Sequence, residues 1–136
     1  MSHSIKLNEQ LGVIVLRYRG NVDFIEIQNV FDEMVRLPGF KEGLSLVADF
    51  RDTISPLSGS EVQSLAHYAK KTDANWGATK WVLLASKDIT FGLARMYSSL
   101  TADCKVTTTV FRDVKKADDW LGLGVEVTEI LARTPE

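Results

Sequence analysis

The stretch Leu44-Ser45-Leu46-Val47-Ala48-Asp49-Phe50-Arg51-Asp52 constrains this chain more than any other. It begins as an almost unbroken apolar run and breaks into charge at Asp49. A short apolar run bounded by turn residues predicts a strand covered on both faces. The chain then crosses a loop through Pro56 and enters a helix at Ser58 or Ser60, signalled by Ser58-x-x-Glu61. In open α/β sheets, ligands and partners gather outside the carboxyl ends of such strands, beside the helix N-termini that follow. The working surface is expected there.

Around that strand the chain reads as a regular alternation. Ser4 to Leu7 and Val13 to Tyr18 predict two strands joined by the Asn8 to Gly12 loop, a hairpin. In the second strand Ile14, Leu16 and Tyr18 share one face; Val13, Val15, Arg17 and Arg19 share the other. Asp23 with Glu26 caps a helix carrying Ile27, Val30, Phe31, Met34 and Val35 at helical spacing, ended by Leu37-Pro38-Gly39. After the helix that follows Ser58, Thr72 to Thr79 predicts a loop, and Lys80 to Ala85 a second fully covered strand. Thr90 to about Thr101 predicts a helix, in which Gly92 is expected to allow close packing on the sheet. Lys105 to Phe111, with Thr107 and Thr109 between valines, suits a half-exposed edge strand. Asp113 and Gly122 bracket a last short helix. Beyond it, Val125, Val127, Ile130 and Leu131 predict a short strand or helix docked on the body or on a second subunit.

The order predicts an α/β fold. It is a single domain over residues 1–136, with a core of about 5–121 and a C-terminal extension from 122. A mixed, mostly parallel sheet of about five strands and four helices is expected, an opening β-hairpin followed by β-α repeats.

A chain of 136 residues suits one core, and 45% hydrophobic with 25% charged residues is an ordinary globular balance. A net charge of -2 excludes a general affinity for nucleic acid or anionic membranes. No apolar run approaches the ~20 residues of a membrane-spanning helix. The N-terminus lacks a basic region followed by an apolar core. With one cysteine, Cys104, and hence no internal disulfide, these features predict a soluble, cytoplasmic protein.

Catalytic chemistry finds little material. A nucleophilic triad needs an oriented histidine; only His3, placed in a mobile terminus, and His67, on a helix surface, exist. Neither shows metal-ligand spacing with Cys104, so no metal and no cofactor are expected. Cys104 reads as a small packed residue rather than a reactive thiol. Asp49 and Arg51 point to one side of their strand and favour an ion pair that fixes the loop. With Asp52, and with Arg95 from the third helix, they are also candidates to hold a polar or anionic group. Ser58 and Ser60 read as helix caps, and as candidate phosphorylation sites at a helix N-terminus. Trp120 belongs to the core face of its helix. Trp76 is either an exposed interface anchor or a residue packed over the sheet end.

The strand Leu46-Val47-Ala48-Asp49-Phe50-Arg51, the stretch Thr90-Phe91-Gly92-Leu93-Ala94-Arg95-Met96-Tyr97, and Val110-Phe111-Arg112-Asp113 with Ala117 and Trp120-Leu121 carry a resemblance. Together with the element order, they resemble the STAS-like, or SpoIIAA-like, family of small bacterial α/β proteins, related to the anti-sigma-factor antagonists. The resemblance covers about Ile5 to Leu121. It implies a non-enzymatic regulatory module that binds a protein partner through the Ser55 to Glu61 segment, and a homodimer. In that family a loop reading Asp-Ser-Ser-Gly carries the phosphoacceptor serine. Here Pro56-Leu57-Ser58-Gly59 puts Leu57 at that place, against the usual kinase switch. The fold is also similar to that of CRAL-TRIO lipid-binding domains. The alternative is therefore a small hydrophobic or anionic, lipid-like ligand in an apolar pocket beneath the third helix, near Phe91, Met96 and Tyr97.

Overall fold

The computed structural model describes residues 2–54 and 56–136. The elements run β1 (His3–Asn8), β2 (Val13–Gly20), α1 (Phe24–Val35), β3 (Ser45–Thr53), α2 (Gly59–Trp76), β4 (Thr79–Leu84), α3 (Asp88–Leu100), β5 (Val106–Phe111), α4 (Val114–Leu121) and α5 (Val127–Arg133). The five strands form one sheet in the order β1-β2-β3-β4-β5. The β1–β2 hairpin is antiparallel and every later pairing is parallel. Gly12 closes the hairpin with φ +69, a conformation open to glycine.

Three successive crossovers step the same way across the sheet, and their helices share one face. There α1, α2 and α3 lie over Ile14, Leu16, Leu46, Ala48, Trp81 and Leu83. The opposite face presents a valine row, Val15, Val47 and Val82 in register, covered by Ala117 and Leu121 of α4 and Val127 and Ile130 of α5. The strands β2, β3 and β4 are thus covered on both sides, which is why their sequences are apolar runs rather than alternations.

The local signals act as expected at several ends. The Ser58 hydroxyl accepts from the Glu61 amide at 3.2 Å while Glu61 Oε1 accepts from the Ser58 amide at 2.9 Å, a complete capping box. Asp113 accepts from the Lys115 amide at 2.9 Å, and Gly122 ends α4 in the left-handed region at φ 67. Asp23 caps α1, accepting from the Glu26 amide at 2.8 Å.

Other expectations are corrected. Among the described residues the helices number five rather than four, because residues 127–133 form α5. Their dock on the body is polar as well as apolar: Arg17, the residue at which β2 turns basic, donates to the carbonyls of Leu131 and Thr134 at 2.7 Å each. The segment expected as a loop from Thr72 continues α2 to Trp76, and Trp76 is fully buried, edge-on to both Phe40 and Trp81. His3 is no mobile residue; it starts β1 and its ring contacts the carboxylates of Glu26 and Glu33 on α1. Gly92 is exposed, and a Cβ there would meet nothing within 4 Å, so close packing is not its reason.

Candidate functional site

Between the sheet and its three-helix face lies a cavity of about 110 Å³. Its floor is made of alternate residues of the central strands: Leu16 and Tyr18 of β2; Leu46, Ala48 and Phe50 of β3; Trp81 and Leu83 of β4. Its roof uses one stripe of each helix, Ile27 and Phe31 of α1, Val62 and Leu65 of α2, and Thr90, Leu93, Ala94 and Tyr97 of α3. The α3 residues fall at i, i+3, i+4 and i+7, a single helical face. Yet none of the 13 residues of α3 is fully buried. A helix that aims its apolar stripe at the sheet and only half-buries it, with Ala94 and Tyr97 in touch with the core, stands partly over space. The floor explains where that space comes from. In the row Leu16, Ala48, Leu83 the middle strand supplies only a methyl group.

The cavity is close to the carboxyl ends of the strands, as its wall residues Thr53, Pro56, Leu57 and Thr90 show. Leu57, the residue standing where the resemblance expects a phosphoacceptor, is one of its walls. At the same end Ile25, Ile54 and Ile89 are exposed at 58%, 69% and 60%. They follow β2, β3 and β4 in turn, and the Ile54 amide bonds to the Gly20 carbonyl at 2.9 Å. Exposed apolar residues scattered singly are ordinary; three beside an apolar cavity, Ile54 on a loop and Ile25 and Ile89 in the first turns of α1 and α3, form a concentration.

The expected site residues take different places. Asp49 is buried and accepts from the Arg51 amide at 3.0 Å and from Arg51 Nε and Nη2 at 2.9 and 2.8 Å. The carboxylate holds the guanidinium pKa above its ordinary value against the opposing effect of burial. The pair sits at an irregularity of the sheet. Arg17 pairs with Asp49 and Arg19 with Asp52, so β3 carries one residue more than β2 and both Phe50 and Arg51 oppose Tyr18. Tyr18 stacks on Phe50 at 4.7 Å, and these two rings are part of the cavity wall. Asp52 is exposed. Ser58 and Ser60 are exposed at the start of α2, their hydroxyls 3.2 Å apart. Arg95 is exposed on α3 and outside the cavity lining. Ser55, at the start of the expected docking segment, lies outside the described residues. Of the three residues expected around a pocket beneath α3, Tyr97 lines the cavity; Phe91 and Met96 do not.

Chemically the site is built to exclude water. Its side-chain polar atoms belong to Tyr18, Tyr97, Thr53, Thr90 and Trp81, and none of its lining residues is charged. Thr53 Oγ1 is committed to the Phe50 carbonyl at 2.8 Å. Lys87 is held close to this end, donating to the carbonyls of Thr53 at 2.6 Å and Arg51 at 3.3 Å. Among the described residues no group of three or more His, Cys, Asp or Glu is placed to hold a metal ion. Burial, with Asp73 and Asp103 nearby, pushes the Cys104 thiol up, away from the reactive thiolate. His67 is exposed on α2.

The sequence pointed to the end of the sheet beside which the cavity lies and to the helix above it, and missed most of the lining. The one available signal was Ala48 and Ala94, small residues on the facing surfaces of β3 and α3.

No protein-family model and no curated protein matches the chain. Among solved structures it is similar to an uncharacterized protein of the DUF3478 family with a SpoIIAA-like fold from Shewanella loihica PV-4. The two share a TM-score of 0.55 and 11% identity, over 88% of this chain and 91% of that one. This likeness shows a SpoIIAA-like fold, the fold that the resemblance implied. Among the described residues no helix is long and apolar enough to cross a membrane.

Proposed function

We propose that this chain is a non-enzymatic cytoplasmic binding protein whose apolar cavity takes a small lipophilic ligand. The observation that carries this reading is the cavity of about 110 Å³ under α3, with three exposed isoleucines just beyond the ends of β2, β3 and β4. Well-packed interiors hold few voids larger than a water molecule, and a void among apolar walls stays dry until an apolar guest enters it. An apolar pocket with a few polar groups, beside the carboxyl ends of parallel strands, is the usual form of a small-molecule site.

Titration of the protein with toluene, followed by amide chemical shifts, tests this reading. Saturable shifts clustered at Leu57, Leu65, Leu93 and Ala94 are expected. Shifts that do not saturate, or that scatter over the surface, overturn it.

A second reading, docking of a protein partner or of a second copy of this chain, is favoured by the exposed Ile25, Ile54 and Ile89 beside the start of α2. Light scattering over a hundredfold range of concentration checks the homodimer. A monomer at every concentration removes it, and Ile54→Ser is expected to dissociate a dimer built on this end.

A further inference from the structure

We infer that the molecule held in the cavity is small and uncharged, an apolar body carrying one hydrogen-bonding atom that meets the hydroxyls of Tyr18 and Tyr97. This rests on the cavity reading above and goes beyond it by naming the chemistry of the guest.

Size comes first. A dry engineered cavity of about 150 Å³ holds benzene, so 110 Å³ encloses about four to five non-hydrogen atoms, and the rest of a larger molecule projects from the mouth.

Polarity comes second. Tyr18 is 2% exposed and Tyr97 is half-buried, and both line the cavity, one from β2 and one from α3. Neither hydroxyl has a hydrogen-bond partner among the described residues. Both keep access to water-sized space, and a guest that displaces that water without replacing its hydrogen bonds leaves them unmade, which is costly in an apolar setting. A guest that offers an oxygen or nitrogen satisfies them, and a hydrocarbon leaves them unmade. Burial keeps both phenols protonated by raising their pKa values, and nearby acidic groups raise them further.

Charge comes third. No lining residue is cationic, Lys87 is spent on backbone carbonyls, and Arg51 is clasped by Asp49. An ionised carboxylate or phosphate inside would lose its hydration without gaining a counter-charge. The anionic ligand expected as one alternative from Arg95 and Arg51 therefore does not belong in this cavity.

The experiment compares four probes by the same chemical-shift titration: toluene, phenol, benzamide and benzoate. Phenol is expected to bind roughly three- to tenfold more tightly than toluene, the worth of one neutral hydrogen bond. Benzamide is expected to bind and benzoate, its ionised counterpart of the same shape, at least tenfold more weakly. Tyr18→Phe and Tyr97→Phe keep the rings and remove the hydroxyls. At least one of them should bring the ratio of phenol to toluene affinity down to about one. If toluene binds but phenol gains nothing over it, or benzoate matches benzamide, this inference falls and the cavity reading stands. If none of the four saturates, both fall.

Discussion

Asp49 and Arg51 form a closed clasp two residues apart, the carboxylate taking the backbone amide at 3.0 Å and the guanidinium at 2.9 and 2.8 Å. The clasp stands where β3 carries its extra residue against β2, and it gives the Arg51 amide a partner there. Phe50, between them, points to the other side and stacks on Tyr18 in the cavity wall. The pair is a shaping device for the site.

Removing one partner should therefore reach the cavity. Asp49→Ala is expected to lower stability by about 1–3 kcal/mol, since it unmakes three hydrogen bonds, two of them to a charged group that is partly solvated. It should also weaken toluene binding by shifting Phe50. Urea unfolding and the titration measure both, and a variant with wild-type stability and binding would refute the assignment.

The two serines at the start of α2 should separate. Ser58→Ala is expected to cost about 1 kcal/mol through loss of the cap, whereas Ser60→Ala should stay within about 0.5 kcal/mol. Equal effects in denaturant unfolding would deny Ser58 its capping role.

His3 gives a pH signature. Burial alone would lower its pKa, but the hydrogen bonds to Glu26 and Glu33 outweigh burial and leave it above 6.5. A raised folded pKa means that the protonated form stabilises the fold. The contribution is full below pH 6.5 and is lost as pH rises through the folded value. The stability difference between the wild type and His3→Gln should follow that course. A difference that grows with pH would contradict the pairing.

Gly92 has no positive φ and open space at its Cβ position. Gly92→Ala should therefore stabilise the protein by about 0.5–1 kcal/mol through helix propensity alone. Destabilisation on thermal or urea unfolding would show that the residue serves a contact or a bend.

Ala94 faces the cavity from α3. Ala94→Leu should fill it and reduce toluene affinity at least tenfold, while stability holds or rises by about 1 kcal/mol as added methyl groups leave water. Unchanged affinity would place the probe elsewhere.

The sequence by itself determined the order of elements and the two-sided burial of the central strands. It did so because those signals are local: the almost unbroken apolar run Leu44 to Ala48, the Ser58 and Glu61 cap, and Asp113 with Gly122 each act within a few residues. It also led to the end of the sheet beside which the cavity lies. Tertiary structure alone decided the burial of Trp76, the tether from His3 to α1, and the choice of helix for residues 127–133, which rests on Arg17 more than a hundred positions away in the chain. It alone decided the cavity as well. Empty space belongs to no residue: Ala48 and Ala94 are unremarkable one at a time, and only the distance at which α3 is held above β3 turns two small side chains into a site.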